Sequence, residues 1–121
     1  MLSVSRRIDA PADAVWKVLV DTDAWPQWGP TVAGAELDDA ELTLGTTGRV
    51  HTPIGVALPF KVTEFEPGHR WAWSVAGVPA TAHAVEPVGT GCRVSMAVPL
   101  WAPAYLPVCA IALRRIEKMV S

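Results

Sequence analysis

The stretch VTEFEPGHRWAWSV, from Val62 to Val75, decides the architecture. Two β-prone runs flank Glu66-Pro67-Gly68-His69, the residue types that a tight connection requires, so the segment reads as a β-hairpin. Strand side chains point alternately to opposite faces. That places His69, Trp71, Trp73 and Val75 on one face and Arg70, Ala72 and Ser74 on the other, with the tryptophan face inward. Outward from this hairpin, β-prone runs punctuated by Gly, Pro and Asp recur at intervals of about ten residues from Thr31 to Pro99, as in antiparallel meanders. Strands are expected near Val32–Leu37, Arg49–Thr52, Val56–Phe65, Arg70–Val75, Ala80–Glu86 and Cys92–Val98. A second tight turn lies at Pro87-Val88-Gly89-Thr90-Gly91.

Upstream, Leu2, Val4, Arg6 and Ile8 alternate with Ser3, Ser5 and Arg7, giving a first strand that Asp9-Ala10-Pro11 ends. Val15, Val18 and Leu19 then recur at helical spacing, predicting a short helix from about Pro11 to Val20. Ala24 to Trp28 forms one more helical turn with Pro26 in it, closed by Gly29-Pro30. Trp16, Trp25 and Trp28 are assigned to this short-helix unit. At the other end Leu106, Cys109/Ala110, Leu113, Ile116 and Val120 follow helical spacing behind Pro103 and Pro107. The order β-α-α-β(5–6)-α is an α+β architecture. A length of 121 residues suits a single domain, 1–121, because two would each have a meagre core.

Composition narrows the function classes. Half of the residues are apolar and 18% are charged, which excludes intrinsic disorder. A net charge of −2 removes the usual electrostatic drive toward phosphates, so no nucleic-acid partner is expected. Pro99, Pro103 and Pro107 interrupt the most apolar stretch, Val94 to Leu113, and no integral membrane association is expected. The residues from Met1 to Arg7 lack the apolar run of a secretory signal, which makes the cytoplasm the expected location. Cys92 and Cys109 have neither CxxC nor ligand spacing and read as buried small hydrophobes. His51, His69 and His83 are scattered, so no metal and no cofactor are expected.

Several segments together resemble a known superfamily. They are Ile8 to Trp16 (IDAPADAVW), Asp21, Trp25-Pro26-Gln27-Trp28, Gly45 to Gly48, Val62 to Pro67, Trp71-Ala72-Trp73, Glu86-Pro87, Gly89-Thr90-Gly91 and the final amphipathic helix. Over essentially the whole chain they resemble the START-like helix-grip (SRPBCC) superfamily and, within it, the polyketide cyclase/dehydrase-like family. The resemblance implies a curved antiparallel sheet of six to seven strands wrapped around a long C-terminal helix, with two short helices after strand 1. It also implies a cavity between sheet and helix where hydrophobic small molecules bind. Superfamily members include lipid and hormone binders, aromatic polyketide cyclases, oxygenase subunits, quinone-binding proteins and chaperone-associated domains, so the fold alone leaves function open. In a chain this short, the cavity is expected to be small or partly filled by tryptophan.

The cavity wall is expected to hold Phe60, Val62, Trp71, Trp73, His83, Tyr105, Leu106 and Leu113 around a small hydrophobic or aromatic ligand. His83 is its best polar candidate. It acts either as a general base or ligand orienter, or it is a hydrogen-bonded or outward-facing strand histidine without a chemical role. Glu64 and Glu66 share one face near a turn, where solvated glutamates are the ordinary reading. Gly45-Thr46-Thr47-Gly48 lacks the Lys-Ser/Thr ending of a phosphate loop and reads as a turn. Trp101 and Tyr105 lie at the entrance to the last helix, as core packing or as a lid. The reading preferred here is a ligand-binding protein. Its rivals are a cyclase or dehydratase-type enzyme using a cavity polar residue and a chaperone-associated interaction domain. A homodimer is compatible with all three.

Overall fold

Alternation at the amino end gives β1 (Leu2–Ile8), and Pro11, with an extended backbone of φ −61° and ψ 145°, turns the chain into α1 (Ala12–Val20). Pro11 thus precedes the helix rather than belonging to it. The structure is a computed structural model and describes residues 1–121. Val15 and Leu19, four residues apart, form the buried stripe of α1, and α2 (Trp25–Trp28) follows with Pro26 in its first turn. The remaining strands are β2 (Gly34–Leu37), β3 (Thr47–His51), β4 (Ala57–Glu66), β5 (Arg70–Val75), β6 (Val78–Val88) and β7 (Gly91–Val98). A 3₁₀ turn at Pro103–Tyr105 leads into α3 (Leu106–Val120).

All seven strands form one antiparallel sheet in the order β1-β7-β6-β5-β4-β3-β2. Its curved face holds the carboxyl-terminal helix, the helix-grip arrangement. α3 presents Cys109, Ala112, Leu113 and Ile116 to the sheet, and burying Leu113 and Ile116 stabilises the fold by about 1.5–3 kcal/mol each. An Arg6–Glu117 ion pair at 2.8 Å fastens β1 to the last turns of α3.

Strand limits differ from expectation where turns compete. Val32 was expected in the second strand, but its N–H bonds Gly29 O at 3.1 Å in the turn after α2, so β2 starts at Gly34. β6 begins two residues earlier than expected because Ala76 and Gly77, at φ 53° and 78°, close a two-residue turn of the kind that matches strand twist.

Two β-bulges bracket Trp73. Thr63 is an extra residue on β4, between the pairs Val62↔Trp73 and Glu64↔Ala72. On the other side, Ala80 and Thr81 of β6 together oppose Trp73 of β5. A bulge bends its strand and redirects side chains. Ala80 and Thr81, consecutive residues that a regular strand would send to opposite faces, therefore line the same groove.

Candidate functional site

The inward residues of β5 and β6 meet the short-helix segment in one aromatic cluster. Trp25 stacks on Trp71 at 5.3 Å between ring centroids, and Trp71 stacks on His83 at 4.1 Å. Trp73 stands edge-on to Trp25, Phe60 and Trp71 at 5.2–5.4 Å, the geometry that aligns a ring edge with a neighbour's π face. Trp28 approaches His83 edge-on at 5.9 Å. Trp25 and Trp28 therefore join the sheet cluster instead of forming a unit with Trp16, which pairs separately with Phe65 at 5.7 Å. Backbone carbonyls fix both rings: Trp25 Nε1–H donates to Leu19 O at 2.9 Å and Trp28 Nε1–H to Val18 O at 3.0 Å. Trp71 Nε1–H is buried without an acceptor.

A polar relay crosses this cluster. Trp73 Nε1–H donates to Thr81 Oγ1 at 3.0 Å, Thr81 Oγ1 lies 2.9 Å from His83 Nε2, and His83 Nδ1 lies 3.4 Å from Trp71 O. A carbonyl oxygen only accepts, so the proton of the neutral imidazole sits on Nδ1 and Nε2 accepts from the Thr81 hydroxyl. Burial among apolar rings disfavours the imidazolium and pushes the His83 pKa down to about 3, reinforced by the positive charge of Arg70 and opposed by the bond to Trp71 O. His83 is thus neutral, with both nitrogens engaged.

Two cavities meet at this relay. The inner chamber, of about 50 Å³, is bounded by Trp25, Trp28, Trp71, His83, Met96 and Cys109. The outer groove, of about 320 Å³, lies among Val50, Leu58, Val75, Val98 and Trp101. Thr31, Val32, Trp73, Thr81 and Tyr105 line both. Thr31 Oγ1 and the Tyr105 hydroxyl share a hydrogen bond of 2.6 Å at this partition, joining the loop after α2 to the start of α3. Burial raises the Tyr105 pKa and keeps the phenol protonated. No charged side chain lines either cavity. The arrangement can surround a flat apolar body and offer it the one proton that the Thr31–Tyr105 hydroxyl pair leaves free, the Thr52 and Thr81 protons being held by Val56 O and His83.

The profile of the family described as polyketide cyclase / dehydrase and lipid transport matches residues 1–116. The chain belongs to this family. No curated protein matches the chain. Among solved structures, a Nitrosomonas europaea protein is similar at 17% identity with a TM-score of 0.71, covering 98% of this chain and 92% of that one. The Aha1 dimer from Colwellia psychrerythraea is similar at 19% identity and a TM-score of 0.69, covering 99% of this chain and 96% of that one. DynU16, a protein of the dynemicin biosynthetic locus, is similar at 20% identity and a TM-score of 0.66, covering 98% of this chain and 48% of that one. At these identities the likeness establishes the fold.

Within this family member, the residues expected at the cavity wall fall into two groups. Trp73 and Tyr105 line both cavities, and Trp71 and His83 line the inner chamber. Phe60, Val62, Leu106 and Leu113 line neither. The first two and Leu113 are sealed inside the core, and Leu106 packs against its edge. The groove wall is instead built by residues not expected there, namely Thr31, Val50, Leu58, Ala80 and Thr81. Trp101, at 67% exposure, stands at the groove mouth and is not core packing. His51 is half-buried and bonded to Glu36, His69 lies in the β4–β5 turn, and Glu64 pairs with Arg70 at 3.0 Å on the solvated face. No cluster of three or more His, Cys, Asp or Glu side chains has metal-site geometry.

Proposed function

We propose that this chain, acting as one domain, binds a small, uncharged apolar or aromatic molecule in the groove between the sheet and the β7–α3 connection. The observation that carries the reading is the charge-free groove of about 320 Å³ walled by Trp73, Trp101 and Tyr105. That volume is at the small end of the ~300–1,000 Å³ typical of ligand sites, which favours a compact ring system or a short acyl chain. The Thr31–Tyr105 hydroxyl pair, which keeps one proton free after its mutual bond, selects a ligand carrying a carbonyl or hydroxyl group. The family description, pairing polyketide cyclisation with lipid transport, supports an apolar ligand. Self-association, as in the dimeric Aha1 neighbour, leaves this reading unchanged.

Titration of tryptophan fluorescence with naphthol, quinone and medium-chain fatty-acid probes tests the reading. Saturable quenching is expected for at least one class, with loss of the response in Ala80→Phe, which fills the groove. A response that survives in a folded Ala80→Phe protein places the ligand elsewhere and overturns it, as does the absence of any saturable response. The enzyme reading asks His83 to move a proton. Its engaged nitrogens and depressed pKa favour binding over turnover.

A further inference from the structure

The distribution of charge along the chain is lopsided. Residues 24–35, 52–60, 71–85 and 94–113 contain no Asp, Glu, Lys or Arg, although the chain has 22 such residues. The strand register gathers these segments at one end of the molecule. Val75 pairs with Val78, His51 with Ala57, Gly34 with His51 and Ala82 with Ala97, so the β3–β4 loop, the β5–β6 turn and the β7–α3 connection emerge side by side. The opposite end carries acidic and basic residues, Asp38 and Asp39 in the β2–β3 connection and Glu66, Glu86 and Arg93 at the strand ends.

Large apolar side chains stand exposed on these three connections and at the strand end beside them: Ile54 at 85%, Val56 at 45%, Val78 at 46%, Leu100 at 71% and Trp101 at 67%. Folding gains nothing from leaving them in water. Pro99, Trp101 and Thr52, from two of the three connections, also line the outer groove, so the apolar tips surround its mouth.

We propose that this end of the molecule docks on the surface of a lipid bilayer made of uncharged, zwitterionic lipid. Three features favour a bilayer over a protein surface. The apolar side chains sit on separate protruding tips, which a fluid interior accommodates without shape matching. They amount to roughly 600 Å² at their observed exposures, below the ~800 Å² per partner that a stable dimer buries. The exposed indole of Trp101 has the amphipathic character suited to the boundary between headgroups and acyl chains. Since no cationic side chain accompanies the tips, attraction to anionic headgroups is absent and docking rests on apolar insertion. The contact is peripheral, because no helix is long and apolar enough to cross a membrane. A groove opening inside the docked rim lets an apolar molecule pass from lipid to protein without crossing water.

Vesicles of phosphatidylcholine, with and without brominated acyl chains, test the docking with no ligand added. The expected result is co-sedimentation of the full chain with vesicles, quenching of tryptophan emission by the brominated lipid, and little change in either between low and high salt. Ile54→Glu keeps Trp101 as reporter on a different loop and is expected to weaken partitioning about tenfold or more. Leu100→Glu is expected to do the same, and circular dichroism checks that both variants are folded. Failure of the wild type to bind phosphatidylcholine vesicles overturns the proposal. So does unchanged partitioning in both variants, or binding that appears only with anionic lipid at low salt. A concentration-dependent dimer that both variants abolish, with no vesicle binding, overturns it in favour of a second copy of the chain. The groove reading is measured without vesicles, so either can fail while the other stands.

Discussion

His83 shows how a single side chain links the sheet to the stability of the whole. The folded protein holds it neutral with a pKa near 3, whereas in the unfolded chain it titrates near ~6.5. Between these values the unfolded state binds the extra proton. The stability that His83 contributes is therefore complete above about pH 6.5 and is lost progressively as pH falls toward the folded pKa, at a slope of at most about 1.4 kcal/mol per pH unit. Urea midpoints measured from pH 7 down to 4.5 are expected to fall more steeply for the wild type than for His83→Gln; parallel curves contradict the buried neutral imidazole. At the partition, Tyr105→Phe removes the hydroxyl bonded to Thr31, and faster entry of a small probe quencher such as acrylamide to the inner tryptophans is expected. Strand alternation makes His83 the best polar candidate for the cavity wall and leaves an outward-facing histidine as the other reading; burial against Trp71 decides for the inward one. Thr81, two residues before His83, shares its face by the same alternation, whereas Ala80 falls on the other face and is turned toward the groove only by the bulge formed where β6 pairs with β5.

Among the elements, close approach of backbones fixes where glycine is needed. A Cβ on Gly48 would lie 2.1 Å from Glu36 O on β2 and 2.8 Å from the Phe60 ring on β4, and neither strand can retreat without breaking the sheet. Gly48→Ala is expected to cost about 2 kcal/mol or more, read as a lowered thermal midpoint. Ala76→Gly, in the β5–β6 turn, relieves a left-handed residue at φ 53° and is expected to stabilise by about 0.5–1 kcal/mol; destabilisation would contradict the turn geometry. The strands and helices themselves were legible because each carries a clear period: two along Leu2–Ile8, and the three-to-four spacing of Cys109, Leu113 and Ile116 in α3. Their ends were less so. Val32 was lost to a turn, and Val78 was gained by β6 because the Ala76-Gly77 turn is only two residues long.

In the whole molecule, the tryptophans both fill and line. Trp25, Trp28 and Trp71 leave only about 50 Å³ in the inner chamber, whereas Trp73 and Trp101 wall the larger groove beside it. The sequence displayed this competition between filling and lining. It did not show which tryptophan did which, because Trp25 reaches the sheet only once α2 has packed onto it, a contact between residues far apart in the chain. Phe60, Val62 and Leu113 share the apolar character of true lining residues and differ only in depth, which periodicity does not encode. The groove's role in holding a ligand is tested most directly by the indole N–H region of a proton–nitrogen NMR spectrum, where six tryptophans give six resolvable reporters. During titration with 2-naphthol, the Trp73 and Trp101 signals, assigned by Trp→Phe substitution, are expected to shift together and saturate while Trp16 stays in place. Unmoved Trp73 and Trp101 signals, or a saturable shift confined to Trp16, would contradict a ligand site between the sheet and the β7–α3 connection.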